Sequence, residues 1–182
     1  MCDSIIYLIG FSGTGKTTVG EKVARILDTF FLDMDSKIAE DAQQSIPEIF
    51  SSVGEDVFRK METDLIKKIS NSNSEKCCSA QVVSTGGGVW SVFENRQLMY
   101  SSGIVICLNA SPETILMRLE RQQLTEGSIA DRPMLYSGEG SLNKVKELLQ
   151  IRYENYMQAD FILQTDAKTP LSIAEEIEDL LK

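Results

Sequence analysis

An apolar run, IIYLIG, gives way at Gly10 to GFSGTGKT and then to the amphipathic stretch TVGEKVARIL. No other passage constrains the fold as much. The run is short and rich in β-branched residues, which suits a strand covered on both faces in a parallel sheet. The later stretch repeats at a helical period, with Val19, Val23, Ile26 and Leu27 on one side. Between them lies a loop of glycines, hydroxyls and one lysine with almost no apolar surface to bury, so something other than a core must hold it. Gly10, Gly15, Lys16 and Thr17 match G-x-x-x-x-G-K-[ST] in the strand–loop–helix setting that a phosphate loop requires. Backbone N–H groups there turn inward around phosphate oxygens, and the helix N-terminus adds its positive dipole end. Lys16 is placed to reach the β and γ phosphates and Thr17 to ligate Mg²⁺, so the expected occupant is a nucleotide.

The alternation continues along the chain. DTFFLD reads as a second buried strand ending at Asp33, and Asp35 to Ser70 as two or three helices broken at Pro47 and Gly54. SNSNSEKCCSAQ reads as a surface loop, VVSTGGG as a third strand running into a glycine turn, SVFENRQLMYSS as a helix and GIVICLN as a fourth strand. SPETILMRLERQQ has a Ser cap, Pro in its first turn, and Ile115, Leu116 and Leu119 on one face. After a helix over LNKVKELLQIRYENYMQA come a fifth strand, DFILQT, and a closing amphipathic helix, TPLSIAEEIEDLLK. From Leu124 to Ser141 periodicity is lost and glycine gained, which predicts a long loop acting as a mobile lid. The whole predicts one three-layer α/β/α domain with a parallel sheet, binding its ligands beyond the carboxyl ends of the strands.

Composition narrows the chemistry. With 182 residues the chain can bury a core without disulfide or metal staples. Its 27 acidic against 18 basic residues give a net charge of −9, which argues against nucleic acid and anionic membrane as partners. An anionic substrate would need a local island of positive charge. Cys2, Cys77, Cys78 and Cys107 form no zinc spacing and read as reduced thiols. The absence of histidine removes Ser-His-Asp catalysis, leaving carboxylate or lysine as any general base. No targeting segment or bilayer-length apolar run is read, so a soluble, cytoplasmic protein is expected.

Four further groups invite a chemical reading. Asp33 and Asp35, taken as the end of the second strand, point to one side while the chain stays extended. One can serve a metal's water shell and the other a substrate hydroxyl, although Asp35 also reads as the N-cap of the next helix. Arg59 and Glu62, three apart on a helix, read as a surface ion pair. Gly86 to Gly88 fit a place where backbone must approach a ligand, or a flexible turn. Arg132, before Pro133, and Arg152 each read singly as solvated charges.

Taken together, GFSGTGKT, DMD, FRKME, TGGG, DRPML and RYENYMQAD occur in the order and spacing of the shikimate kinases, and the resemblance spans essentially the whole chain. It implies one P-loop domain of the nucleoside monophosphate kinase type over 1–182, with a five-stranded parallel sheet in the order 2-3-1-4-5 and the lid at about 124–141. The implied reaction moves the γ-phosphate of ATP to the 3-hydroxyl of shikimate. By this resemblance Asp35 resembles the residue that binds the shikimate hydroxyls, Arg59 and Arg152 the pair that clamps its carboxylate, and Gly86, Gly87 and Gly88 the turn that supplies backbone contact. Gly13, Thr14, Gly15, Lys16, Thr17 and Thr18 would cradle ATP, with Lys16 and Arg132 as phosphate-binding cations and Arg121 against the adenine. Lys168 stands where the family has an adenine-loop arginine. Thr17 and Asp33 would serve Mg²⁺, and a monomer is expected.

A gluconate or nucleoside monophosphate kinase would share the phosphate loop but need another acceptor pocket, which the set Asp35, Arg59, Gly87 and Arg152 disfavours. A nucleotide switch or a silent ATP-binding module is the reading from another class. NKVK at Asn143 lacks the aspartate of a guanine signature, and Lys16, Thr17 and Asp35 are intact.

Overall fold

The computed structural model describes residues 4–71, 80–126 and 141–182. The elements are β1 (Ile5–Ile9), α1 (Lys16–Ile26), β2 (Phe30–Asp33), α2 (Met34–Ala42), α3 (Ile46–Asn71), β3 (Ala80–Ser84), α4 (Phe93–Ser102), β4 (Gly103–Asn109), α5 (Pro112–Glu126), α6 (Ser141–Tyr156), β5 (Phe161–Gln164) and α7 (Pro170–Leu180). The strands form one parallel sheet in the order β2-β3-β1-β4-β5.

β1 is the central strand and every residue in it is buried. Its side chains alternate between the two faces, as strand geometry requires. Ile5, Tyr7 and Ile9 join one apolar cluster, with residues of α2 to α6. Ile6 and Leu8 join the other, with Val19 and Val23 of α1 and Ile173 and Ile177 of α7. Three layers therefore share a sheet with no polar face, which is why the strands read as continuous apolar runs.

Two local expectations are corrected. β2 is not buried: it is the edge strand beside β3, and Phe30 is 73% exposed. Phe31 turns inward against α1, where a Cβ at Gly20 would lie 2.5 Å from its ring, and Leu32 packs partly buried on the other face of the sheet. The extended chain also ends at Asp33 rather than Asp35, so the two carboxylates do not share a strand face. Asp33, not Asp35, caps α2, its Oδ1 accepting from the Ser36 N–H at 3.0 Å, while Asp35 lies in the first helical turn. α3 kinks at Gly54, whose φ of 82° and ψ of 171° leave the helical region, as the break expected there requires.

Leu124 to Glu126 continue α5 and Ser141 opens α6, so the ends of the expected lid are helical. Residues 127–140, with Arg132, lie outside the described residues, as do Cys2, Cys77 and Cys78. Cys107 is a free thiol inside β4, and burial pushes its pKa up to about 12. Among the described residues no helix is long and apolar enough to cross a membrane.

Candidate active site

The carboxyl ends of β1, β2 and β3 bring together the loop before α1, the start of α2 and the glycine turn after β3. Gly10 must be glycine because its backbone lies so close to β4 that a Cβ would sit 2.3 Å from the Leu108 carbonyl. Gly15, at φ 97°, is the N-cap of α1 and has no side chain to offer its N–H groups. They stay available for an anion. Lys16 is 8% exposed, and its ammonium donates to the Gly10 and Phe11 carbonyls at 2.9 Å each. The loop thus stores its cation on its own backbone, where phosphate oxygens can take over those bonds.

Thr17 Oγ1 donates to Asp33 Oδ2 at 2.7 Å, joining the start of α1 to the end of β2. These two oxygen donors sit where a cation could reach both the protein and a phosphate. No cluster of three carboxylate, thiol or imidazole groups forms a closed cage among the described residues. That donor set fits Mg²⁺, which takes one or two protein ligands and fills its octahedron with water and phosphate oxygens.

The turn Gly86–Gly88 has a role for each missing side chain. A Cβ at Gly86 would lie 2.7 Å from Glu62 Oε1 and 2.8 Å from Asp35 Oδ1. At Gly88 it would lie 2.6 to 2.8 Å from the Arg59 guanidinium. At Gly87 it would face the Ser12 N–H of the phosphate loop at 3.4 Å and Arg152 Nη1 at 3.5 Å. Three successive glycines therefore let Asp35, Arg59 and Arg152 converge beside the phosphate loop.

Arg59 and Glu62 do pair, at 2.8 Å, but not as a surface pair, since the Glu62 side chain is 1% exposed. Burial pushes the Glu62 carboxyl up to about 7 against the pull of Arg59, with the charges of Asp35 and Glu55 adding to the rise. Glu62 Oε1 has no hydrogen-bond partner among the described residues. Arg59 is also held by Glu55, whose Oε1 accepts from Nη2 at 2.9 Å and Nε at 3.3 Å. Arg152 stacks 5.4 Å from the centre of the Phe11 ring and donates to the Gly87 carbonyl at 3.0 Å.

On the other side of the loop, a cavity of about 580 Å³ is lined by Gly13 to Val19 together with Arg118, Arg121, Lys168 and Pro170. Arg121, Lys168 and Thr18, which the resemblance assigned to the nucleotide, thus line one cavity. Lys168 is paired there with Glu176 at 2.6 Å.

Three participants escaped the sequence reading. Arg118 donates to the Thr14 carbonyl at 3.2 Å and the Thr165 carbonyl at 2.8 Å, fastening the loop to the end of β5. Its place one turn before Arg121 was the available signal. Glu62 was read only as surface, and Tyr156, which donates to the Gly87 carbonyl at 2.8 Å, was visible only as a partner four residues after Arg152.

The family model described as shikimate kinase matches residues 12–182. A shikimate kinase of Thermodesulfovibrio yellowstonii is 40% identical over 172 residues, covering 94% of this chain and 91% of its own length. One from Enterococcus faecalis is 37% identical over 178 residues, covering 97% and 98%. The solved shikimate kinase of Acinetobacter baumannii in complex with shikimate superposes with a TM-score of 0.85 at 33% identity, over 98% of this chain and 92% of that one.

Proposed function

The chain belongs to the shikimate kinase family, and we propose from that premise how its own residues transfer the γ-phosphate of ATP to the 3-hydroxyl of shikimate. The observation that supports the assignment of roles is the turn Gly86–Gly88, whose three missing side chains leave room for Asp35 at Gly86, for Arg152 and the phosphate-loop Ser12 at Gly87, and for Arg59 at Gly88.

Phosphoryl transfer asks little covalent chemistry of a protein and a great deal of positioning. The N-terminus of α1 and the loop N–H groups bind the phosphates, and Lys16 leaves the Gly10 and Phe11 carbonyls for the oxygens of the group in flight. Arg132 is assigned a second phosphate contact, on the family pattern. Arg59 and Arg152 grip the substrate carboxylate, which gives a protein of net charge −9 the local positive charge that an acid needs. Asp35 orients the acceptor hydroxyl and takes its proton. Arg121, Lys168 and Arg118 line the base end of the nucleotide cavity.

Thr17 and Asp33 would hold Mg²⁺, which when bound neutralises charge on the β and γ phosphates. We place the reaction in the cytoplasm, where ATP is supplied, and take the working unit to be a monomer. Neither nucleic acid nor membrane is given a part.

The test is ADP release by purified protein with Mg²⁺ and ATP, using shikimate, gluconate or a nucleoside monophosphate as acceptor. Turnover with shikimate alone is expected. Turnover with either rival and not with shikimate would sink the reading.

A further inference from the structure

The Arg59 guanidinium is already engaged by two carboxylates, those of Glu55 and Glu62. A two-pronged grip uses either the Nε–Nη2 edge or the Nη1–Nη2 edge of a guanidinium. Glu55 Oε1 takes the first, from Nε at 3.3 Å and Nη2 at 2.9 Å. Glu62 Oε2 engages Nη1 of the second at 2.8 Å. An incoming carboxylate that takes the Nε–Nη2 edge must therefore displace Glu55, and one that takes the other edge must share Nη1 with Glu62.

They are not equally displaceable. Glu62 is 1% exposed and leans on Gly86, so losing Arg59 would strand a buried carboxylate. The Glu55 side chain is 44% exposed and is rehydrated at once when it lets go. It is also the first residue after the non-helical Gly54, where the chain of α3 changes direction and where a Cβ would meet nothing within 4 Å. Open space and a backbone kink beside Glu55 give it somewhere to go.

From this geometry we infer that Glu55 is an affinity-setting residue for the acceptor: its carboxylate occupies the Arg59 edge that the substrate carboxylate takes, and substrate binds by exchanging with it. The inference rests on the assignment of Arg59 to the substrate carboxylate. Its consequence is selectivity. A lone weak anion gains little by replacing a carboxylate already in place. A ring acid that also engages Arg152 and Asp35 gains enough to complete the exchange. Glu62 stays in place throughout and keeps the guanidinium oriented.

The experiment is steady-state turnover at saturating ATP for the intact chain and for Glu55→Gln, Glu55→Ala, Asp56→Asn and Arg59→Ala. Asp56 is an exposed neighbour, so Asp56→Asn reports the effect of one surface charge. Glu55→Gln and Glu55→Ala are expected to lower the KM for shikimate about two- to five-fold, the scale of one exposed ion pair, with kcat and the KM for ATP unchanged. Asp56→Asn should leave the shikimate KM where it was. A KM that rises in the Glu55 variants would show that Glu55 supports Arg59 rather than competing for it. A KM equal to that of Asp56→Asn would show no exchange, and either result overturns the inference. Arg59→Ala separates the two readings: if it leaves the shikimate KM unchanged, the premise about Arg59 is wrong. If it raises that KM while the Glu55 variants do nothing, only the exchange is wrong.

Discussion

Arg152 and Tyr156, one helical turn apart on α6, donate to the same acceptor, the carbonyl of Gly87, at 3.0 and 2.8 Å. The peptide at the centre of the glycine turn is thus pinned by a cation and by a buried phenol. Tyr156 is 4% exposed, and burial pushes its hydroxyl up to about 12, so it is a donor at any working pH. Two donors on one carbonyl hold the turn without occupying its three missing side-chain positions.

Tyr156→Phe should keep the ring's packing and lose this one bond. A buried bond of this kind is worth ~1 kcal/mol, so a small drop in stability is expected. The informative readout is kinetic: the shikimate KM should rise several-fold while the ATP KM stays level. Equal loss toward both substrates would mean that Tyr156 supports the fold as a whole rather than the turn.

Gly88→Ala places a Cβ 2.6 to 2.8 Å from the Arg59 guanidinium, closer than real contacts allow. Arg59 must swing away, and its two carboxylate partners with it. Shikimate-dependent turnover should fall by at least tenfold while the protein still binds ATP in a direct titration. Retention of full turnover would show that the acceptor is not held against this turn.

Lys16→Ala and Arg152→Ala divide the site along its two halves. Removing the ammonium deletes a contact that strengthens as charge develops on the transferring phosphate, so kcat should fall by ~10²-fold or more. Removing Arg152 should act chiefly on the shikimate KM. Separate calorimetric titrations of each variant with ATP and with shikimate check the division, and a symmetric loss of both ligands in Arg152→Ala would contradict it.

Glu62 predicts a pH dependence of stability. Its folded pKa, about 7, lies above the ordinary 4.5, so the folded chain holds this proton more tightly than the unfolded chain. The resulting stabilisation is fully present below pH 4.5 and is lost as pH rises through about 7, a change on the order of 3 kcal/mol. Urea unfolding midpoints measured between pH 5 and 8 should therefore decline with pH. Glu62→Gln should flatten that part of the decline. A slope that is the same in the variant would mean that other groups cause it.

Much of this molecule follows from short-range patterns. The phosphate loop is written in eight consecutive residues, and its demands are local: backbone torsions at Gly15, a helix start at Lys16, a strand before it. The parallel sheet is likewise legible, because a strand covered on both faces must be apolar, as β1 is throughout and β4 is from Ile104 to Leu108. The triple glycine at the end of β3 announced that something approaches the backbone there, although not what.

What approaches was settled by folding. Gly87 meets Arg152 across 65 residues, and Arg118 reaches Thr14 across 104, distances over which no periodicity carries information. The same reason explains the corrections. An i,i+3 spacing of Arg59 and Glu62 is identical on a wet or a dry helix face, and only the packing of α3 against the glycine turn buries Glu62. The apolar letters of β2 do not say whether a neighbour will cover them, and strand order left Phe30 at the edge. Likewise DMD could cap a helix with either aspartate. The choice of Asp33 follows from where the sheet ends and α2 begins, and it leaves Asp35 in the first turn of α2, facing Gly86.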